Sequence, residues 1–291
     1  MRGNPAMHDL VAPGTLGGVL ELLAAEPGAW TPIAGGTELM VAFAAGRLAA
    51  PKLVNLWGIP DLRAIEVSPQ NVVIGAAATF LDLRRHPVIA SDLPLLAKAA
   101  SWIGSVANQG RATLVGNLVN GSPAADSSPA LLAYDAEIEL ISARGRRRVP
   151  YSAFHTGYKR NVLAADELLY AIHLPRRFAR HKQYLRKVGT RRAMAIAKVA
   201  LGATALLEKG VIREIRLGAA SLAPFPTRLA GTEAALLGQA ITRETAQSAR
   251  RALLAEVKPI DDIRSTAHYR SRVAVNLLDE FLLQLRTEVS S

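Results

Sequence analysis

Two stretches decide how this chain is read: Ile33-Ala34-Gly35-Gly36-Thr37-Glu38-Leu39, and Thr113-Leu114-Val115-Gly116-Asn117 running on to Ser122-Pro123-Ala124-Ala125-Asp126. In both, glycine removes the Cβ atoms that keep an anion away from the backbone and lets successive N–H groups turn to one side. Thr and Asn add short polar side chains that bond an oxygen or their own backbone. The first stretch follows a strand-like run over 30–34 and leads into a helix-like run over 39–45. Strand, glycine turn, helix is the geometry in which amides and a helix N-terminus meet an anion. The second packs Gly116, Asn117, Asn120, Gly121, Ser122, Pro123 and Asp126 together, more turn formers than an ordinary turn uses. The two loops are expected to clamp one dinucleotide. Neither has the Gly-x-Gly-x-x-Gly or Gly-Lys-Ser/Thr spacing of the common phosphate loops.

Outward from the loops, Thr15 caps a short amphipathic helix with Leu16, Val19, Leu20 and Leu23 on one face. Between the loops lie a short strand over 53–56 and a hairpin of 63–67 with 72–76 around Ser68-Pro69-Gln70-Asn71. A helix capped by Thr79 follows. Another begins at Ser91-Asp92 and carries Leu95, Leu96, Ala99, Trp102, Ile103 and Val106 inward. Beyond the second loop come a helical turn or two from Ser128-Pro129, a half-buried strand over 136–141, a hairpin tip over 144–148 and a strand over 168–174. The composition shifts at 175–182. Strands then read over 183–188, 198–207 and 211–220, and helices over 227–237, 242–257 and 266–285. Strands first and helices last point to an α+β domain at the C-terminus.

Composition removes several function classes. The 291 residues suffice for two or three domains. There is no cysteine, which excludes disulfides, thiolate zinc, a cysteine nucleophile and an iron–sulfur cluster held by this chain. The six histidines show no i, i+4 pair of the helical metal-site kind. No Gly-x-Ser-x-Gly elbow or paired carboxylates suggest hydrolytic or general acid–base work. The apolar runs are too short for a membrane span, and the N-terminal residues lack a secretory apolar stretch, so a cytoplasmic location is expected. The formal net charge is +11. Nucleic acid, a phosphate-bearing cofactor and an acidic partner protein are its three candidate causes.

Single residues keep two readings each. Asp126 is either an acceptor for ribose hydroxyls or the N-cap of the turn at 128–133. Lys198, in an otherwise apolar stretch, either meets an anion or a carbonyl or lies on the solvent face. Glu38 is a first-turn helix acid or a cofactor-side group. The arginine clusters over 144–148 and 176–180 lack the interleaved aromatics of a single-strand binder. They read as solvated loops or as docking sites for an acidic partner.

Taken together, several segments resemble the FAD-binding (medium) subunits of molybdenum hydroxylases, the group of xanthine dehydrogenase, aldehyde oxidoreductase and aerobic carbon monoxide dehydrogenase. They are Ala34-Gly35-Gly36-Thr37-Glu38-Leu39, Thr113-Leu114-Val115-Gly116-Asn117, Ala124 to Leu132, Gly157-Tyr158-Lys159-Arg160 with Asp166 to Leu169, Ile196-Ala197-Lys198-Val199, and Arg264 to Arg270. They keep the family order across nearly the whole chain. The resemblance implies an α+β chain of the PCMH-type fold. Its parts would be FAD-binding subdomains over 1–57 and 58–177 and, over 178–291, a C-terminal α+β domain of a three-stranded antiparallel sheet with helices. It implies FAD held by Ile33, Ala34, Gly35, Gly36, Thr37, Glu38, Leu39, Thr113, Val115, Gly116, Asn117, Ser122, Ala125, Asp126, Leu169 and Lys198. Asp126 would take the adenosine ribose, and Leu169 and Lys198 would lie near the flavin. It further implies a hetero-oligomer with a molybdopterin-binding large subunit and an iron–sulfur small subunit. Electrons would pass from the partner's [2Fe-2S] clusters through FAD to NAD, oxygen or quinone. Two positions depart from the family pattern: Val115 replaces the first of two glycines, and Met194-Ala195 stand where an acid is usual. A free-standing flavoenzyme of this fold and a basic nucleic-acid-binding protein are the competing readings.

Overall fold

The computed structural model describes residues 3–191 and 194–287, so the outermost residues of the first and last expected domains lie outside it. The chain opens with β1 (Asp9–Val11), α1 (Leu16–Ala25), β2 (Trp30–Ile33), α2 (Leu39–Ala44) and β3 (Lys52–Asn55). The strands are parallel in the order β1-β3-β2, and parallel neighbours require crossovers, which α1 and α2 help to span. The Thr15 hydroxyl accepts from the Gly18 amide at 3.2 Å, and Val19 and Leu23 are buried, as the apolar spacing requires.

Next come the hairpin β4 (Ile65–Val67) and β5 (Asn71–Gly75), then α3 (Phe80–Arg85), α4 (Pro87–Asp92), α5 (Pro94–Ala100), α6 (Val106–Gln109), α7 (Leu114–Val119) and α8 (Ser128–Ala133). The chain returns through β6 (Glu137–Ser142), β7 (Gly145–Pro150), the small hairpin β8 (His155–Gly157) and β9 (Arg160–Asn161), and β10 (Leu168–Pro175). These strands, β8 and β9 excepted, form an antiparallel sheet in the order β4-β5-β10-β6-β7. One apolar core, from Val19 to Leu185, serves both sheets and the helices between them.

Three local expectations change here. Ser91 and Asp92 end a helix that starts at Pro87; Pro94 begins the next, and Trp102 and Ile103 fall in the turn before α6. Proline at the first helical position resets the backbone twice, which a continuous apolar pattern conceals. Arg146 to Arg148 lie within β7, and only Ser142 to Gly145 make the tip. That register sets Arg148 opposite Glu139 and Arg146 opposite Ile141, within reach of the acids of β6. Glu139, expected on a solvent face, is therefore buried, bonded to Arg146 at 2.9 Å and His173 at 2.5 Å. The arginine clusters are thus largely neutralised inside the chain. Arg144 pairs with Asp166, Arg147 with Glu167 at 2.7 Å, Arg176 with Asp92 at 2.7 Å and Arg177 with Glu214 at 2.6 Å.

The C-terminal part contains β11 (Lys182–Val188), β12 (Val199–Glu208), β13 (Val211–Ala220), β14 (Thr227–Arg228), α9 (Ala230–Leu236), α10 (Arg243–Glu256) and α11 (Ala267–Thr287). Its sheet has four antiparallel strands, one more than expected. Thr227 and Arg228, read as the start of a helix, pair with Ala219 and Gly218 before α9 begins. Leu277, Leu278, Phe281 and Leu285 of α11 pack into a second core with the sheet, on the face expected.

Helix α8 joins the two parts. Gly202 of β12 and Gly218 of β13 are paired neighbours, and a Cβ on either would stand 2.6 Å from the Pro129 carbonyl oxygen. The missing side chains form the groove that receives α8, whose six residues are all buried. Asp135, just past the helix in the left-handed region at φ 49°, bonds Arg177, Arg216 and Arg228.

Candidate functional site

A cleft of about 400 Å³ lies where the first sheet faces the second. One wall is Ala34, Gly35, Gly36, Thr37, Glu38 and Leu39, and the facing wall is Thr113, Val115, Gly116 and Asn117. Leu56, Phe80, Ile103, Leu168 and Leu169 make it largely apolar between them. A register shift between Leu169 and Ala171 in the β10–β6 pairing leaves Tyr170 as a bulge, and Leu168 and Leu169 both reach the cleft.

The first wall is a loop entering α2. Gly36 has φ +73°, which a Cβ would strain. Gly35 has another reason: a Cβ there would lie 1.7 Å from the carbonyl oxygen of Arg111, so the loop closes directly on the backbone leading to the second wall. The left-handed backbone accounts for Gly36; contact between the walls accounts for Gly35.

The second wall is a helix start rather than a glycine loop. Thr113 is the N-cap of α7, its hydroxyl accepting from the Gly116 amide at 3.0 Å. Val115 sits in the first turn of α7, buried against the core, so a left-handed glycine is not required there. The amides of Gly36, Thr37, Glu38 and Val115 have no acceptor among the described residues. The approach to α2 and the start of α7 thus carry unbonded N–H groups in residues that line one cleft.

Of the acids in the wall, Glu167 accepts from Arg147 at 2.7 Å and from the Ala164 amide at 2.8 Å. The Arg147 contact holds it below the usual carboxylate range. Glu38 holds the N-cap position of α2 without a side-chain cap bond, and it lines the cleft.

Ile33, Ser122, Ala125, Asp126 and Lys198 do not line the cleft. Ile33 ends β2 beneath the Gly36 turn, its side chain 3.5 Å from where a Gly36 Cβ would be. Ser122 and Ala125 shape the turn before α8, the Ala125 amide donating to the Ser122 carbonyl at 3.1 Å. Asp126 is not the N-cap of α8. Ser127 holds that position without a capping bond, and its hydroxyl donates to Asn117 Oδ1 at 2.8 Å, tying the turn to the cleft wall. Lys198 lies just before β12, half-buried, with its ammonium 5.2 Å from the Tyr269 ring centroid and its carbonyl accepting from Arg270.

Asp126 instead meets Lys187, an association the sequence reading missed. Lys187 Nζ donates to Asp126 Oδ2 at 2.5 Å, and both side chains are about nine-tenths buried. The other carboxylate oxygen, Oδ1, is buried without a partner among the described residues. Burial pushes the Asp126 carboxyl up to about 6, against the pull of Lys187. Lys187 also stands 5.9 Å from the Trp102 ring centroid, next in sequence to the cleft-lining Ile103. Only the alternation of Lys182–Val188 on a strand could have hinted at Lys187, because its partner is distant in sequence.

Comparisons with known proteins give the family. Residues 6–177 match the family described as the FAD binding domain in molybdopterin dehydrogenase, and residues 184–285 match the CO dehydrogenase flavoprotein C-terminal domain. The chain belongs to this flavoprotein family. It is 32% identical over 258 residues to the xanthine dehydrogenase FAD-binding subunit of Escherichia coli O157:H7, covering 88% of each chain. It is 29% identical over 279 residues to the carbon monoxide dehydrogenase medium chain of Hydrogenophaga pseudoflava, covering 96% of each. A solved carbon monoxide dehydrogenase structure from that organism superposes with a TM-score of 0.90 over 96% of both chains at 29% identity. The expected α+β flavoprotein fold is borne out, and this chain is an FAD-carrying oxidoreductase subunit. No described helix is long and apolar enough to cross a membrane.

Proposed function

We propose that this chain holds FAD across the cleft and relays electrons from redox centres of partner subunits to an external acceptor. The observation that carries it is the convergence of two helix starts with unbonded amides on one largely apolar cleft. A second supports it: the orphaned, buried Oδ1 of Asp126 beyond the wall residue Asn117. These groups fit a dinucleotide. The amides of Gly36, Thr37 and Val115 would hold the diphosphate, Asp126 Oδ1 would accept from a ribose hydroxyl, and Leu168 and Leu169 would exclude water from the ring. Bound FAD supplies the redox chemistry, and the chain positions and insulates it. Ser122 and Ala125 act by placing Asp126, and Ile33 by supporting Gly36. Lys187 joins the site through its contact with Asp126, and Lys198 stays the residue expected near the flavin.

A chain without cysteine cannot hold the thiolate-ligated clusters that would feed such a flavin. We therefore place it in a hetero-oligomer whose molybdopterin-binding and iron–sulfur subunits do the rest, in the cytoplasm. Its own divisions would be 1–57, 58–177 and 178–291. The test is the visible spectrum of the purified chain. Flavin bands, with FAD rather than FMN released on denaturation and no reduction by organic substrates without partners, are expected. A colourless protein that takes up no FAD on reconstitution would overturn the proposal, and substrate reduction by the isolated chain would favour a free-standing enzyme.

A further inference from the structure

A dinucleotide brings a doubly charged diphosphate, yet among the described residues the only charged ones in the cleft wall are Glu38 and Glu167, both acidic. Amides from two six-residue helices offset part of that charge, but among the described residues no cation lines the wall. Arg147 touches the wall but is bound to Glu167 at 2.7 Å, so the cation cluster left without a carboxylate is the one tied to the first wall through Arg111. Arg111 is the residue whose carbonyl closes on Gly35, and its guanidinium lies 3.9 Å from the Trp57 ring centroid. Arg63 lies 4.8 Å from the same indole. Trp57 follows the cleft-lining Leu56, and its amide is anchored by Asn55 Oδ1 at 2.9 Å.

Neither arginine has a carboxylate partner among the described residues, whereas Arg144, Arg146, Arg147, Arg176 and Arg177 all do. A guanidinium stacked on an aromatic face keeps its in-plane N–H donors free. Two like charges on one half-buried indole repel each other, and a nearby anion offsets that repulsion. Building on the FAD reading above, we propose that Arg63 and Arg111, held on Trp57, are the counter-charge for the diphosphate at the Gly35–Thr37 loop.

The test is titration of FAD into flavin-free full-length protein at low and high salt, with thermal unfolding to confirm that each variant is folded. Arg63→Gln and Arg111→Gln should each weaken FAD binding roughly three- to tenfold at low salt, the size of a close charge interaction in a watery setting. The double variant should also show a shallower salt dependence. Arg111→Lys should recover most of the loss because it keeps the charge, and ADP, which carries the diphosphate without the flavin, should weaken in parallel with FAD. Wild-type affinity and salt slope in the double variant would overturn the proposal while leaving the FAD reading intact. Weakened binding with an unchanged salt slope would make the residues mere packing and overturn it too. Failure of the wild-type chain to bind FAD would overturn both.

Discussion

The substitution Asp126→Asn probes the proposed ribose contact most directly. Oδ1 is buried and has no partner among the described residues, so a hydroxyl donating to it would make a hydrogen bond to a charged acceptor out of water. Such a bond contributes roughly 1.5–3 kcal/mol, or roughly 10- to 150-fold in Kd. The pH dependence follows from the raised carboxyl of the free chain, near 6 against an ordinary 3.8. Because the folded chain binds this proton more tightly than the unfolded one, the group costs stability as pH rises through that window. FAD would reverse the preference, since a donated hydrogen bond favours the carboxylate. Affinity should therefore hold above pH 6 and fall by up to about tenfold per unit below it. Asp126→Asn should flatten that curve at the weakened level. Removing the carboxylate also strands the Lys187 ammonium, so Asp126→Asn/Lys187→Gln is measured alongside to separate loss of fold from loss of contact. Calorimetric or fluorescence titration of FAD between about pH 5 and 8 is the assay. Wild-type affinity in Asp126→Asn, or a wild-type curve with no bend near 6, would refute the argument.

Two further substitutions test the glycine contacts. Gly35→Ala puts a Cβ against the Arg111 backbone, which cannot swing aside as a side chain can. It should destabilise the chain by about 3 kcal/mol, the upper end of overpacking, and release FAD; an unchanged unfolding midpoint would show that the walls do not close as described. Gly218→Ala places a Cβ 2.5 Å from Leu132 Cβ and 2.6 Å from the Pro129 oxygen, displacing α8. It should cost about 1–3 kcal/mol in chemical denaturation and weaken FAD although it lies outside the cleft; stability lost with FAD affinity intact would separate α8 docking from the site.

Much of the frame was legible because it rests on local rules. Thr15 and Thr79 announced helix starts by side-chain capping, and Thr79 with Asp82 completes a capping box. The apolar face of α11 and the β12–β13 hairpin at Lys209-Gly210 were plain from periodicity and turn chemistry. What stayed hidden depends on pairing across the chain. The burial of Glu139 follows from strand register, since its partners Arg146 and His173 arrive from β7 and β10. The extra strand at Thr227 and Arg228 is too short to carry an alternation and exists only because β13 offers an edge. The second wall read as a loop because Gly116 and Asn117 are weak helix formers, yet the Thr113 cap and the buried Leu114, Val115 and Leu118 outweigh them.

The same distinction bears on the proposed ribose contact at Asp126. Asp126 lies in a turn with little structure of its own, and its position is set by contacts from elsewhere. Asn117 fixes Ser127 from the cleft side, and the Ser221 amide donates to the Pro123 carbonyl at 2.7 Å from the far sheet. Pro129 fills the groove left by Gly202 and Gly218, and Lys187 closes on the carboxylate from β11. Three of these four constraints come from residues after 180. A chain ending near 177 would keep both cleft walls and their amides but lose what aims Asp126 and neutralises it. The diphosphate would then retain its cradle while the ribose lost its acceptor. If Asp126 takes the ribose as proposed, the C-terminal sheet is one side of the site rather than a separate appendage.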